Sequence, residues 1–136
     1  MDTMLRWKVV KSRFTAHLLH INAVFLVNKR KQILDDSHIE RLYECVCSLC
    51  GSAGVQVGIE GTGRDYVHFI FIYPPTLRLN DFISNVKSVS SRRLRDEFPD
   101  LVRESEDSFW SRYHLLTSAG GPAADIIKKY IITQRA

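Results

Sequence analysis

Apolar positions along the chain switch between a spacing of two and a spacing near four, and the switches mark out the elements. Residues 14–27, FTAHLLHINAVFLV, mix apolar runs with alternation and predict a first strand. NKRKQILDD then turns the chain, and SHIERLYECVCSLCG predicts a helix. Ser37 is its expected N-cap, Glu40 three residues on would complete a capping box, and Gly51 would close it. VQVGIE at 55–60 and YVHFIFIYPP at 66–75 are β-rich and joined by GTGRD, a glycine-containing loop of hairpin length. Pro74 and Pro75 end the second of these strands. In DFISNVKSVSSRRLRDEF, Phe82, Ile83, Val86, Val89 and Leu94 recur near helical period, with Asn80 as expected N-cap and Pro99 as terminator. A polar stretch, RESEDSF, leads to WSRYHLLTSAGG, which predicts a fourth strand and a glycine turn. Pro122 then opens a final helix, where proline is tolerated.

The order is β-α-β-β-α-β with one more helix. That predicts an α+β fold, a ferredoxin-like antiparallel sheet with two helices on one face and an additional C-terminal helix. Residues 1–136 contain no repeat, low-complexity segment or linker, and 45 % hydrophobic content is ample for one core, so a single domain is expected. The fold by itself says little about function.

Charge narrows the field slightly. The formal net charge is +4, and the cations cluster in KVVKSR, NKRK, SSRRLR and the KK before Tyr130. This favours an anionic partner, although solvated faces and helix ends account for many such clusters. Cys45, Cys47 and Cys50 stand at offsets that do not converge on one side of a helix. They read as small apolar helix residues rather than a zinc site or disulfides. No apolar run is long enough to span a bilayer, and MDTMLRWKVVKSRF has no signal-peptide core. A cytoplasmic protein with no membrane partner is the expectation.

Two pairs of residues carry candidate chemistry. In DIIKKYIITQ, Tyr130 and Gln134 are four apart and therefore share a helix face. In RDYVHFIF, Tyr66 and His68 alternate and therefore share a sheet face. Spacing alone fits a half-buried tyrosine and an ordinary strand histidine.

Taken together these segments resemble a known family, the single-tyrosine HUH transposases of the smallest bacterial insertion sequences (IS200-like transposase family). The likeness runs from about Phe14 to Gln134. HINAVFLVNKRKQIL stands as the first strand and its basic exit, and DYVHFIFIYPP as the HUH strand. FISNVKSVSSRRLRDEFPDL follows as the helix after it, FWSRYHLLTSAGG as the fourth strand and turn, and IIKKYIITQ as the nucleophile helix.

The resemblance implies that Tyr130, on a helix at about 122–134, is the nucleophile and that Gln134 helps to bind a divalent metal, Mg2+ or Mn2+. His68 matches the second HUH histidine, while Tyr66 occupies the place of the first. A protonated phenol, with a pKa of about 10, is a poor ligand for a hard cation. Glu60 and Asp65 are nearby carboxylates that could substitute. The implied activity is metal-dependent cleavage and rejoining of single-stranded DNA through a 5′-phosphotyrosine, after recognition of hairpins at element ends. A homodimer associated with the nucleoid is implied as well. Lys87, Arg92, Arg93 and Arg95, then Lys29, Arg30 and Lys31, are the candidates for gripping phosphates; Trp7, Phe14 and Tyr73 are the candidates for stacking on bases. The alternative that Tyr66 raises is a hairpin-DNA-binding protein on the same scaffold that no longer cuts. A ferredoxin-like small-molecule sensor is a third reading, supported by the fold alone.

Overall fold

A computed structural model describes residues 10–11, 16–118 and 123–134. Its centre is a four-stranded antiparallel sheet in the order β4-β5-β3-β6, formed by β3 (Leu19–Val27), β4 (Gln56–Thr62), β5 (Tyr66–Tyr73) and β6 (Trp110–Ser118). Helices α1 (Asp36–Ala53) and α2 (Leu79–Glu97) make the two crossovers, so the ferredoxin-like arrangement is present. Helix α4 (Ala123–Thr133) is the additional C-terminal helix.

The expected first strand is divided. Ala16–His17 forms β2, which pairs with β1 (Val10–Lys11) in a separate ribbon, and the sheet strand starts at Leu19. An apolar run does not reveal which neighbour its backbone will choose.

Alternation along β3 explains both faces of the sheet. Ile21, Ala23, Phe25 and Val27 point to α1 and α2, where they meet Val67, Phe69 and Phe71 of β5. Leu42, Val46 and Cys50 of α1 and Phe82, Ile83, Val86 and Leu94 of α2 close this core. Phe25 sits fully buried at its centre, with edge-on rings of Phe69 and Trp110 each 5.5 Å away. Val24 and Leu26 point the other way, to Ala123 and Ile127 of α4.

Helix ends depart from the sequence expectation in three places. The N-cap of α1 is Asp35, not Ser37: its carboxylate accepts the His38 N–H at 3.1 Å, and His38 Nδ1 accepts the Asp35 N–H at 3.1 Å. The imidazole thus completes a capping box usually completed by Glu or Gln. The helix runs through Gly51 and ends at Gly54, whose φ of 71° is the left-handed conformation that glycine accepts without strain. Helix α2 starts at Leu79, so Asn80 lies inside it, and Arg78 stands at the cap position with an ion pair to Asp81 but no side-chain capping bond. Pro99 ends α2 as expected but also opens an unexpected short helix, α3 (Pro99–Ser105), which runs into the start of the polar RESEDSF stretch. Leu101, fully buried, anchors this short helix to the core.

Candidate active site

The sheet face away from α1 and α2 holds the residues of interest. Tyr66 pairs across the ladder with Leu26, and His68 with Val24, so both lie beneath α4. Helix α4 brings Tyr130 onto the same small apolar cluster as Tyr66, with Leu115 and Ile131 beside them. Gln134 follows one turn after Tyr130, and its N–H donates to the Tyr130 carbonyl at 2.9 Å. The fold therefore brings Tyr130, Tyr66 and His68 to one side of the sheet, with Gln134 just past the end of α4.

The polar residue that sequence reasoning missed here is Asn22. It is buried, 7 % exposed, and its Oδ1 lies 2.9 Å from His68 Nε2. An amide oxygen only accepts, so Nε2 carries the hydrogen and Nδ1 keeps its lone pair. Burial holds the His68 pKa below the ordinary imidazole value, with the charge of Glu60 as a smaller opposing influence. A neutral, oriented imidazole is the form that binds metals, and an outer hydrogen bond of this kind is the usual companion of a ligating histidine. The sequence signal was present in HINAVF, where polar residues at 20 and 22 interrupt an otherwise apolar strand.

Tyr66 is set differently. Its ring lies against Gly63, so close that a Cβ there would stand 2.4 Å from the Tyr66 Cε1 atom. The glycine in GTGRD thus makes room for the tyrosine ring. Glu60 is exposed on β4 at a register shift between Ile59 and Gly61, and Gly61 is the partner of His68. Among the described residues, no group of three His, Cys, Asp or Glu side chains converges as a metal cage. Among the described residues, the polar groups on this face of β3 and β5 include the imidazoles of His20 and His68, the amide of Asn22 and the phenol of Tyr66. That set fits a divalent ion whose other positions are filled by water and phosphate oxygens rather than a closed protein site.

Tyr130 is half-buried. Burial raises its phenol above the ordinary tyrosine range, and the nearby Arg30 cation works in the opposite direction. At neutral pH the hydroxyl is protonated and weakly nucleophilic on its own.

The basic candidates divide into paired and free. Arg30 Nε donates to Asp65 Oδ2 at 2.9 Å, and its Nη1 donates to the Ile131 and Gln134 carbonyls, each at 2.9 Å. Asp65 is therefore committed to Arg30. Lys31 Nζ bonds Glu106 Oε1 and the Glu104 carbonyl, both at 2.9 Å. Lys87 is half-buried; its Nζ donates to the Ser111 carbonyl at 2.7 Å and sits over the Phe25 ring at 5.8 Å. The carbonyl it meets belongs to a bulge, where β6 carries residues 111–113 opposite Leu26 of β3. Arg95 donates to the Glu106 carbonyl at 2.6 Å. Lys29, Arg92 and Arg93 are exposed. Two open grooves run along α2 and share Ser88 and Ser91. Arg92 and Arg95 line one, and Arg112 lines the other. Arg112 escaped the sequence reading because it stands alone in a strand. The glycine turn at 119–121, Pro122, Trp7 and Phe14 lie outside the described residues.

The site combines a tyrosine-bearing helix with a strand histidine on the same side of the sheet, and the class it belongs to, a DNA-processing transposase, follows from the family match. The family profile "Transposase IS200 like" matches residues 15–134, and the chain belongs to that family. The ISDra2 transposase TnpA of Deinococcus radiodurans is 25 % identical over 133 residues, covering 96 % of this chain and 94 % of the relative. A crystal structure of a candidate transposase from D. radiodurans R1 superposes with a TM-score of 0.84 at 23 % identity, over 93 % of this chain and 98 % of that one. A REP-associated tyrosine transposase bound to a REP hairpin superposes with a TM-score of 0.56 at 11 % identity, over 93 % of this chain and 68 % of that one. These two structures share the fold. No helix among the described residues is long and apolar enough to cross a membrane.

Proposed function

We propose that the protein cleaves and rejoins single-stranded DNA, with Tyr130 as the nucleophile. The observation that supports this is that α4 sets Tyr130 on the side of the sheet that holds His68, with Gln134 following just past the helix end. Tyr130 Oη attacks the scissile phosphorus, forming a bond to the 5′-phosphate and releasing the 3′-oxygen, which leaves as a hydroxyl once protonated. A later 3′-hydroxyl attacks the phosphotyrosine and returns the phenol, so the bond energy is conserved without a nucleotide cofactor. His68, through Nδ1, and Gln134, through its amide oxygen, would hold a Mg2+ or Mn2+ ion. When bound, that ion supplies positive charge to the phosphate. Asn22 orients the His68 ring, and the Tyr130 ring rests half-buried on the apolar cluster.

The DNA partner we propose is a single strand carrying hairpins at element ends. The REP transposase structure, on the same fold, is bound to a hairpin. Arg92, Arg93 and Lys29 are exposed cations free to meet phosphates, while Lys87, Arg95, Arg30 and Lys31 are held in internal contacts. A homodimer working at the nucleoid completes the reading.

The experiment is a denaturing gel of the protein with single-stranded DNA from the hairpin flanks of its own locus, plus manganese. A covalent band that Tyr130→Phe abolishes is the expected result. Adducts that persist in Tyr130→Phe would assign the nucleophile elsewhere. One observation favours a second reading, a hairpin-binding protein that no longer cuts: Tyr66 stands where the family has an imidazole, with its ring against Gly63. A retained native-gel shift with no adduct in either metal would establish it.

A further inference from the structure

Helix α4 is 11 residues long, and its buried residues, Ala123 and Ile127, lie in its first half. In its last turn Tyr130 and Ile131 rest half-buried on the apolar cluster, while Ile132 and Thr133 are exposed and no residue is fully buried. An isolated helix of this length is marginal in water, and its final carbonyls need partners. Tyr130 stands on that turn, and Gln134 follows it.

Arg30 reaches it from the far end of β3. One edge of the guanidinium is fixed by Asp65, at the start of β5, and Nη1 bridges the Ile131 and Gln134 carbonyls. The pair is largely screened from water, with side chains 22 % and 16 % exposed. The backbone takes on strain to aim it: Lys29 and Arg30 have φ of 58° and 53°, the left-handed region that side chains disfavour. A cation also suits the negative end of a helix.

We propose that Arg30 is a positioning residue, oriented by Asp65, that latches the last turn of α4 to the β3–β5 corner and so sets where Tyr130 and Gln134 stand. Arginine is required because its planar fork serves a carboxylate and two carbonyls at once, which an ammonium on a flexible stem does not. The residue sits in a basic run, NKRK, where a phosphate contact is the simpler expectation.

The catalytic half of this inference rests on Tyr130 being the nucleophile; the structural half does not. The test uses full-length wild type, Arg30→Gln and the milder Asp65→Asn. Amide hydrogen exchange is followed across 130–134, alongside single-turnover adduct formation at saturating hairpin DNA and the Kd for that DNA. In Arg30→Gln, exchange at these amides should quicken and adduct formation slow by roughly tenfold or more, as misplacement of a reacting group costs. The DNA Kd should stay within about twofold, because the residue is not at a phosphate. Asp65→Asn should move both in the same direction by less. Weakened DNA binding with unchanged exchange and unchanged saturated rate would overturn the latch and make Arg30 a phosphate contact. Unchanged exchange in both variants would overturn it regardless of activity. If the wild type forms no adduct, the exchange measurement still decides the latch, and it is the cleavage reading that fails.

Discussion

The two faces of the sheet differ in what they ask of their residues. Toward α1 and α2, every inward position of β3 from Ile21 to Val27 is apolar, and two helices of 18 and 19 residues cover them. Toward α4, two apolar residues of β3, Val24 and Leu26, share their strand with buried Asn22, and the cover is one short helix. The first face gains by excluding water from large side chains. On the second, an imidazole oriented by a buried amide and a half-buried phenol remain partly open to solvent. The comparison teaches that this chain builds its large core on one side of the sheet and sets its candidate site residues on the other. A functional face with few apolar contacts is also the part expected to open first.

The largest effect should separate the faces outright. Phe25→Ala removes the ring at the centre of the large core and should cost about 3–5 kcal/mol of global stability, read from urea unfolding. Ile127→Ala should cost no more than about 2 kcal/mol, because α4 can loosen while the rest stays folded. Equal losses would show instead that the faces unfold as one unit.

Tyr66→His tests the sparse face itself. Restoring an imidazole beside His68 should raise manganese affinity and adduct yield, by roughly tenfold for each 1.4 kcal/mol gained. The smaller ring fits the space that Gly63 leaves for the tyrosine. Unchanged affinity would mean that the site does not lack a ligand at this position.

The smallest effect is a pH dependence. His68 and His114 are both held below the imidazole value of 6.5, in each case chiefly by burial. The unfolded chain therefore binds more protons just below pH 6.5 than the folded chain does. Stability should rise with pH from the depressed folded values up to 6.5 and level off above it. His68→Gln should flatten part of that rise in urea midpoints taken across the range, and a profile identical to wild type would count against a buried neutral His68.

Much of this was legible in the residues alone. Alternation in VHFIFIY and helical spacing in FISNVKSV define their elements because burial on one face demands that period. The four-residue step from Tyr130 to Gln134 and the two-residue step from Tyr66 to His68 place each pair on one face for the same reason. Local chemistry was less legible where the partner was unusual: His38 completes the α1 capping box, a part that the sequence template reserves for Glu or Gln.

What only the tertiary structure decided is which cations are already taken and which face α4 covers. Arg30 and Arg93 look alike in a string of letters. Yet one meets carbonyls 101 and 104 residues away, and the other stands in water. Long charged side chains find partners through space, and sequence separation carries no record of that distance. Periodicity reports that a side chain is covered, whereas only packing reports by what. The order of elements, the two faces of the sheet and the paired candidates were determined by the sequence itself. The side of the sheet on which Tyr130 joins His68, and the arginine that reaches across to the last turn, were decided by the folded chain.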